Sequence, residues 1–410
     1  MKEALHWISE QRLKVYPRMV FVVMLAVALG WFHGAKNGVD SRGKPLGYDF
    51  ITYFAASKMA LNGHAAQAYS VTAIAKVEHA IVPASAETFA WYYPPTFYLV
   101  VWPLALMPYF LALFVFLGLG LAAYVIVLRK VIRGPQAMWC LAGFSGLWLN
   151  LLQGQNGFLT AAVAGAALLA MEEQPALAGV LVGLMAIKPH LALMFPVALI
   201  AARMWKTLAV AAVTTAVFLG LGTGALGLAT LKACLGSFGT ARMYLEDGSL
   251  PWVKMPTVFA MLRTAHVPVA AAYAVHVLVA LGATLAVWRV WSRSTDWKLR
   301  GAALMTATFL VSPYIFDYDM AWLAFPTAWM VVAGLRDGWL RGEREMLVIV
   351  WILPMLMPLL AMELVVQPAV LALIALLWMV VRRVEHPAVA VDAAQVNGAE
   401  AVLLGDGVSA

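Results

Sequence analysis

The chain is 410 residues long, 63% hydrophobic and only 12% charged, with a mean hydropathy of +0.83. A globular domain runs near a quarter charged; a soluble domain this poor in charge could not cover its surface, whereas lipid accepts Leu, Val, Ala and Phe outright. The net charge of +7 therefore reads as a topology signal in cytoplasmic loops, not as the footprint of a nucleic-acid partner. Two cysteines, Cys140 and Cys234, give neither a disulfide framework nor a CxxC motif, and sixteen Trp suit membrane interfaces.

At the N-terminus Lys2, Arg12, Lys14 and Arg18 precede the apolar run 19–29. A signal peptide begins this way, but no small-x-small cleavage site follows, and Trp31 and Phe32 extend the apolar face. An uncleaved first span is expected. Further along, apolar segments predict spans at roughly 18–33, 109–128, 138–153, 156–171, 176–188, 190–203, 207–227, 267–291, 299–314, 318–335, 346–361 and 364–381. The stretch 92–108 is apolar but carries Pro94, Pro95, Pro103 and Pro108 and reads as a re-entrant or interfacial helix. With that assignment Arg129, Lys130 and Arg133, then Arg203 and Lys206, share the side of the basic N-terminus, as do Arg289, Arg293, Lys298 and Arg300, then Arg336, Arg341 and Arg344, and finally Arg382 and Arg383. The positive-inside rule then puts both termini in the cytoplasm. The expected fold is an all-α polytopic bundle of about twelve transmembrane helices, forming one domain over 1–383, followed by a disordered cytoplasmic tail at 384–410 rich in Ala, Val and Gly. Two long extracytoplasmic loops remain, 34–91 and 228–266. Phe50, Tyr53, Phe54, Ser57 and Leu61 in the first predict short amphipathic helices lying on the membrane surface.

Polar groups at the membrane are costly, so five clusters stand out, in chain order. Tyr48-Asp49-Phe50 with Tyr53 offers a carboxylate among aromatics: an N-cap for the following helix, or a general base. Phe89-Ala90-Trp91-Tyr92-Tyr93-Pro94-Pro95 reads as an interface belt or as the lining of a site. Gln153-Gly154-Gln155-Asn156-Gly157 is turn chemistry with more amide donors than a turn requires. Lys188-Pro189-His190 interrupts an apolar hairpin; the Lys either snorkels or meets a phosphate. Ser312-Pro313, followed by Asp317-Tyr318-Asp319, is a capped turn or a sugar or metal contact. Arg242, Lys254, Arg263 and His266 in the second loop add cations. All five clusters fall on the extracytoplasmic side of this topology, and one polar cavity open to that face would explain it.

These segments resemble glycosyltransferase family 87. The resemblance spans roughly 45–330 and rests on their order: Tyr48-Asp49-Phe50 and Tyr53; Leu61-Asn62-Gly63 and Tyr69; Tyr93-Pro94-Pro95 with Pro103 and Pro108; Gly154-Gln155-Asn156; Pro175, Gly179, Gly183 and Lys188-Pro189; Ser312-Pro313 with Tyr318-Asp319. It implies a GT-C fold and transfer of a hexose, mannose in the characterised members, from a polyprenyl-phosphate sugar to a lipid or glycan acceptor. It implies Asp49 as catalytic base; Asp40 is near but lacks the aromatic context. Lys188 matches the family's Lys-Pro position, read as a contact to the donor phosphate, with His190, Arg242 and Arg263 as helpers. Tyr48, Tyr53, Tyr93, Gln153, Gln155, Asn156, Asp317, Tyr318 and Asp319 are the candidate sugar and acceptor contacts. Family members often carry a His near the Ser-Pro corner, and 316–319 has none. No cofactor and no metal site is expected, with metal dependence left open by Asp317 and Asp319. The expected location is a bacterial inner membrane, with the site facing outward. The rival readings are a transporter or flippase of lipid-linked sugars and a polysaccharide polymerase or ligase; a transporter more often places its polar groups at the midplane, on broken helices.

Overall fold

The computed structural model describes residues 8–364 and 366–386. Most of the expected tail, from 387 on, lies outside the described residues, as does Lys2. Among the described residues the chain is all helix, with only isolated bridges, Lys36 to Val39 and Val39 to Pro45.

In chain order the helices are α1 (Glu10–Gly34), α2 (Phe50–Leu61), α3 (Val71–Ile81), α4 (Pro95–Val101), α5 (Tyr109–Leu128), α6 (Pro135–Ala142), α7 (Ser145–Leu152), α8 (Gly157–Ala170), α9 (Pro175–Leu184), α10 (Met194–Ala201), α11 (Trp205–Leu226), α12 (Leu228–Asp247), α13 (Val258–Thr264), α14 (Val269–Arg293), α15 (Trp297–Val311), α16 (Ala324–Asp337), α17 (Glu343–Leu364) and α18 (Pro368–Glu385). Local chemistry sets many of their ends. Pro opens α4, α6, α9 and α18, where its missing N–H costs nothing. Ser70, Thr257 and Asp296 cap α3, α13 and α15 with side-chain oxygens.

Five helices are long and apolar enough to cross a bilayer alone, within Gln11–Gly34, Tyr109–Leu128, Trp205–Leu226, Val269–Arg293 and Glu343–Leu364, and each answers to an expected span. Other expected spans are assembled from shorter pieces. The stretch 138–153 is two helices parted at Gly143, where an added Cβ would strike the Pro17 carbonyl at 2.6 Å and the Trp351 ring at 2.9 Å. The stretch 92–108 is the seven-residue α4 followed by a 3₁₀ turn, Trp102–Leu106. That is short of the ~20 residues a crossing needs. The loop 228–266 contains the 20-residue α12.

One expectation is corrected. α2 is not an amphipathic helix with one open face: every residue from Phe50 to Ser57 is buried within the protein. Aromatic side chains leave it in several directions and pack against Trp91, Phe97, Tyr98 and Phe116. Phe50 and Phe54, 0% and 2% exposed, contribute roughly 1.5–3 kcal/mol each by burial. A helix whose apolar residues are spread round its circumference belongs inside.

The described chain forms two units. One contains Ala28–Tyr124 and Asn150–Trp252. Within it α9 and α11 touch through Gly179 and Gly183, one turn apart; a Cβ on either would lie 2.7 Å from the Thr207 carbonyl or 2.5 Å from Thr214 Cβ. Small residues at this spacing let helix backbones approach closely. The other unit takes the chain through Val27, the stretch Val125–Leu149, and the described chain from Val253 on. In it α17 and α18 are joined by a buried ion pair: Arg383 donates to both Glu343 oxygens, at 2.7 and 2.5 Å, with both residues under 5% exposed. The bidentate geometry is what makes such a pair tolerable away from water.

Candidate active site

The segment before α2 is built around Asp40. Its carboxylate accepts hydrogen bonds from the Tyr48 hydroxyl at 2.7 Å, Trp31 Nε1 at 3.2 Å, and the Arg42 and Lys44 backbone N–H groups at 2.8 and 3.0 Å. Burial works to raise the Asp40 pKa, and these donors, Tyr48 first, outweigh it and hold the group below the usual carboxylate range. The anchored Tyr48 sits at φ +41°, a conformation costly for a residue with a Cβ. Its own pKa is raised, by burial first and then by the bond to Asp40. Asp40 thus does have an aromatic context, supplied by Trp31 and Tyr48, which the sequence did not reveal.

The strained turn delivers Asp49 to the start of α2. The residue stands at the N-cap position, but its side chain makes no capping bond. Instead one carboxylate oxygen accepts from Gln155 Nε2 at 2.5 Å. Two glycines permit the approach. Gly154, at φ +61°, presses on Gly47, and a Cβ there would lie 2.1 Å from the Gly47 carbonyl oxygen; Gly47 itself sits at φ +87°. No side chain fits between these backbones.

Gln155 is a hub. Its Oε1 accepts from the Tyr53 hydroxyl and, at 3.3 Å, from the Tyr93 hydroxyl, while Tyr53 and Tyr93 share a hydrogen bond at 2.7 Å. The Tyr93 carbonyl accepts from Tyr69 at 2.6 Å. Behind them Trp91, Tyr93, Phe97 and Tyr98 form a continuous aromatic wall, with centroids 4.5 Å apart for Tyr93–Phe97 and 4.7 Å for Trp91–Tyr98. The next residue, Asn156, turns to the cation: Lys188 Nζ donates to Asn156 Oδ1 at 3.3 Å. Lys188 is 4% exposed, between the 3₁₀ turns Met185–Ile187 and Pro189–Ala192. Thr96 ties α4 to the first of these turns by donating to the Ala186 carbonyl at 2.7 Å. Consecutive amides therefore hold a carboxylate and an ammonium at one corner. A cation in such a water-poor place interacts strongly with an incoming anion.

The remaining candidates fall as follows. His190 is half-buried in the second 3₁₀ turn, two residues past Lys188, and Gln153 is half-buried at the corner between α7 and α8. Arg242, on the exposed face of α12, pairs with Glu246 at 2.6 Å. The other unit holds Arg263, which donates to the Val267 carbonyl at 2.6 Å. It also holds Asp317, Tyr318 and Asp319, which are 1%, 7% and 1% exposed in the 3₁₀ turn Asp317–Leu323. There the Tyr318 N–H donates to Asp317 Oδ1 at 2.9 Å, and Phe316 stacks on Tyr318. Among the described residues no group of three or more His, Cys, Asp or Glu is placed to hold a metal ion.

Sequence reasoning missed Glu78. On α3 it reads as a solvated charge between Lys76 and His79, yet it is 0% exposed. Burial pushes its carboxyl up to about 8, against the Phe89 N–H bond that favours the ion, and the nearby Asp49 charge pushes the same way as burial.

An all-helical membrane protein with a carboxylate, a buried cation and an aromatic wall in one unit is the kind of scaffold on which a sugar can be moved beside a bilayer. The profile of glycosyltransferase family 87 matches residues 91–313, more than half of the chain. The chain belongs to that family and is a membrane glycosyltransferase. The match takes in the aromatic wall, Gln155, Asn156 and Lys188; Asp40, Asp49, Tyr53 and Glu78 precede it. No curated protein and no solved structure matches the chain.

Proposed function

We propose that the protein transfers a hexose, mannose in the first instance, from a polyprenyl-phosphate sugar to an extracytoplasmic lipid or glycan acceptor, with inversion at the anomeric carbon. The observation that carries this reading is the single corner at which Gln155 holds Asp49 and Asn156 holds Lys188. It offers a base and an anion contact within one constellation, next to rings of the kind on which sugars stack.

In this mechanism Asp49 takes the proton from the acceptor hydroxyl as that oxygen forms its bond to the anomeric carbon. The bond from that carbon to the phosphate oxygen breaks, and the electron pair leaves with the phosphate. Lys188 stabilises the departing charge, with His190 two residues away; Arg242 is a further candidate cation. A phosphate leaves readily, so no general acid is required, unlike glycoside hydrolysis. Gln155 orients the carboxylate, and Tyr53 and Tyr93 fix Gln155 in turn. Tyr48, Gln153 and Asn156 are further contacts for sugar or acceptor. The site faces the extracytoplasmic side of the cell membrane.

The test is transfer of radiolabelled mannose from polyprenyl-phosphate-mannose to a membrane lipid extract, by the purified full chain and by Asp49→Asn. Label moved by the wild type alone supports the reading. Label moved equally by both removes Asp49 as base. Movement of the donor across a liposome bilayer without transfer would replace the enzyme reading with that of a transporter.

A further inference from the structure

We propose that Glu78 is a second carboxyl of this site, a proton-bearing side chain that pins the aromatic segment 89–93 to α3 and, by staying neutral, adds no negative charge beside Asp49. The argument is geometric first. Glu78 and Ile74, one turn apart, are the buried positions of α3. Glu78 Oε2 accepts the Phe89 N–H at 3.0 Å, two residues ahead of Trp91. Its other oxygen, Oε1, is buried without a hydrogen-bond partner, as is Thr52 Oγ1 beside it. Thr52 lies in the first turn of α2, its N–H bonded to the Asp49 carbonyl at 3.2 Å. Glu78 Oε1 and the Thr52 hydroxyl are thus placed to bond each other, a contact that carries the connection to the base.

The groups around Glu78 supply no cation. α2 brings Asp49 and Thr52, and α5 brings Tyr109. The 3₁₀ turn Ala65–Tyr69, also packed on α3, contains only Ala, Gln and Tyr. On α3 itself Lys76 and His79 are exposed. A carboxylate enclosed this way has one backbone donor, one hydroxyl and no ion pair among the described residues; its burial outweighs those two donors and disfavours it against its neutral form. Glu78 is a positioning residue: it acts through Asp49 and the 89–93 segment.

The test uses the full chain in lipid nanodiscs, with infrared spectra recorded across a pH titration. The wild type is expected to show a buried carboxylic-acid C=O band at pH 7 that titrates near pH 8 and is absent from Glu78→Gln. Identical wild-type and Glu78→Gln spectra at pH 7 would overturn the proposal. Should Glu78→Gln fail to fold, Thr52→Val decides: loss of the hydroxyl shifts the band if Glu78 carries the proton, and an unmoved band overturns the assignment. A second arm rests on the lipid-phosphate reading above. With polyprenyl-phosphate-mannose as donor, ionisation of Glu78 above pH 8 places a second negative charge at the site, and the wild-type donor KM rises about tenfold by pH 9. In Glu78→Gln it stays level. A level KM in the wild type would overturn the charge-setting role. Absence of any transfer would fall on the donor assignment alone, because the infrared band reads Glu78 without substrate.

Discussion

Two corners of the molecule present aspartate between aromatic residues, and they differ in where the carboxylate finds its partner. At Tyr48-Asp49-Phe50 the side chain leaves its own helix uncapped and accepts from Gln155, 106 residues away in sequence, while remaining half-exposed. At Phe316-Asp317-Tyr318-Asp319 the Tyr318 N–H donates to Asp317, and both aspartates are closed to solvent. The same residue pattern thus ends in two degrees of exposure: a carboxylate positioned from a distance and left open can meet a substrate directly, whereas one enclosed in a buried turn meets one only if that turn opens.

The sharpest way to break this comparison is Asp49→Asn. We expect transfer to fall at least ~10³-fold with an unchanged thermal midpoint; turnover within tenfold of wild type would make the two corners equivalent. Next is Gly154→Ala, which puts a methyl against the Gly47 carbonyl and adds strain of about 1–3 kcal/mol at a positive φ. It should lower the thermal midpoint and cut transfer about 10²-fold by displacing the base, although it removes no reactive group. Gln155→Met keeps the volume but removes the donor to Asp49 and the acceptor of two tyrosines. It should cost kcat about tenfold to thirtyfold, in line with a lost bond to a charged group. The smallest effect on transfer belongs to Asp319→Asn, expected to stay within about tenfold while the thermal midpoint falls, because its surroundings are closed. A larger loss of transfer there would bring the second corner into the chemistry.

How far the sequence carried the reading depends on which physical signal each feature leaves. Five long spans were legible because a run of apolar residues without charge has one explanation at that length. Asp49, Gln155, Asn156 and Lys188 were legible because polar groups flanking apolar segments are costly and so invite explanation. Glu78 and Asp40 were not. Residues 71–81 (Val-Thr-Ala-Ile-Ala-Lys-Val-Glu-His-Ala-Ile) read as an amphipathic surface helix, and only the packing of α3 against α2 shows that its glutamate points inward. Asp40 owes its role to Trp31 and Tyr48, nine and eight residues away, joined through a turn whose positive φ at Tyr48 no composition rule foretells. The burial of α2 was misread for a related reason: Phe50, Tyr53, Phe54 and Ser57 do lie at helical spacing, but the faces between them are apolar too. Breaks inside expected spans, as at Gly143, came from close tertiary approach, which leaves only a glycine as its trace.

The Glu343–Arg383 pair has a consequence for biogenesis. The two residues are 40 positions apart, so at about 5–20 residues per second a ribosome completes Arg383 several seconds after Glu343. During that interval the carboxylate lacks the partner that makes its burial tolerable. Glu343 opens α17 ahead of the expected span 346–361, so the apolar part of the helix can enter the bilayer first, and the end of the helix pair closes only when Arg383 arrives. A chain truncated before α18 should therefore insert α17 yet leave Glu343 open to water-soluble carboxyl reagents.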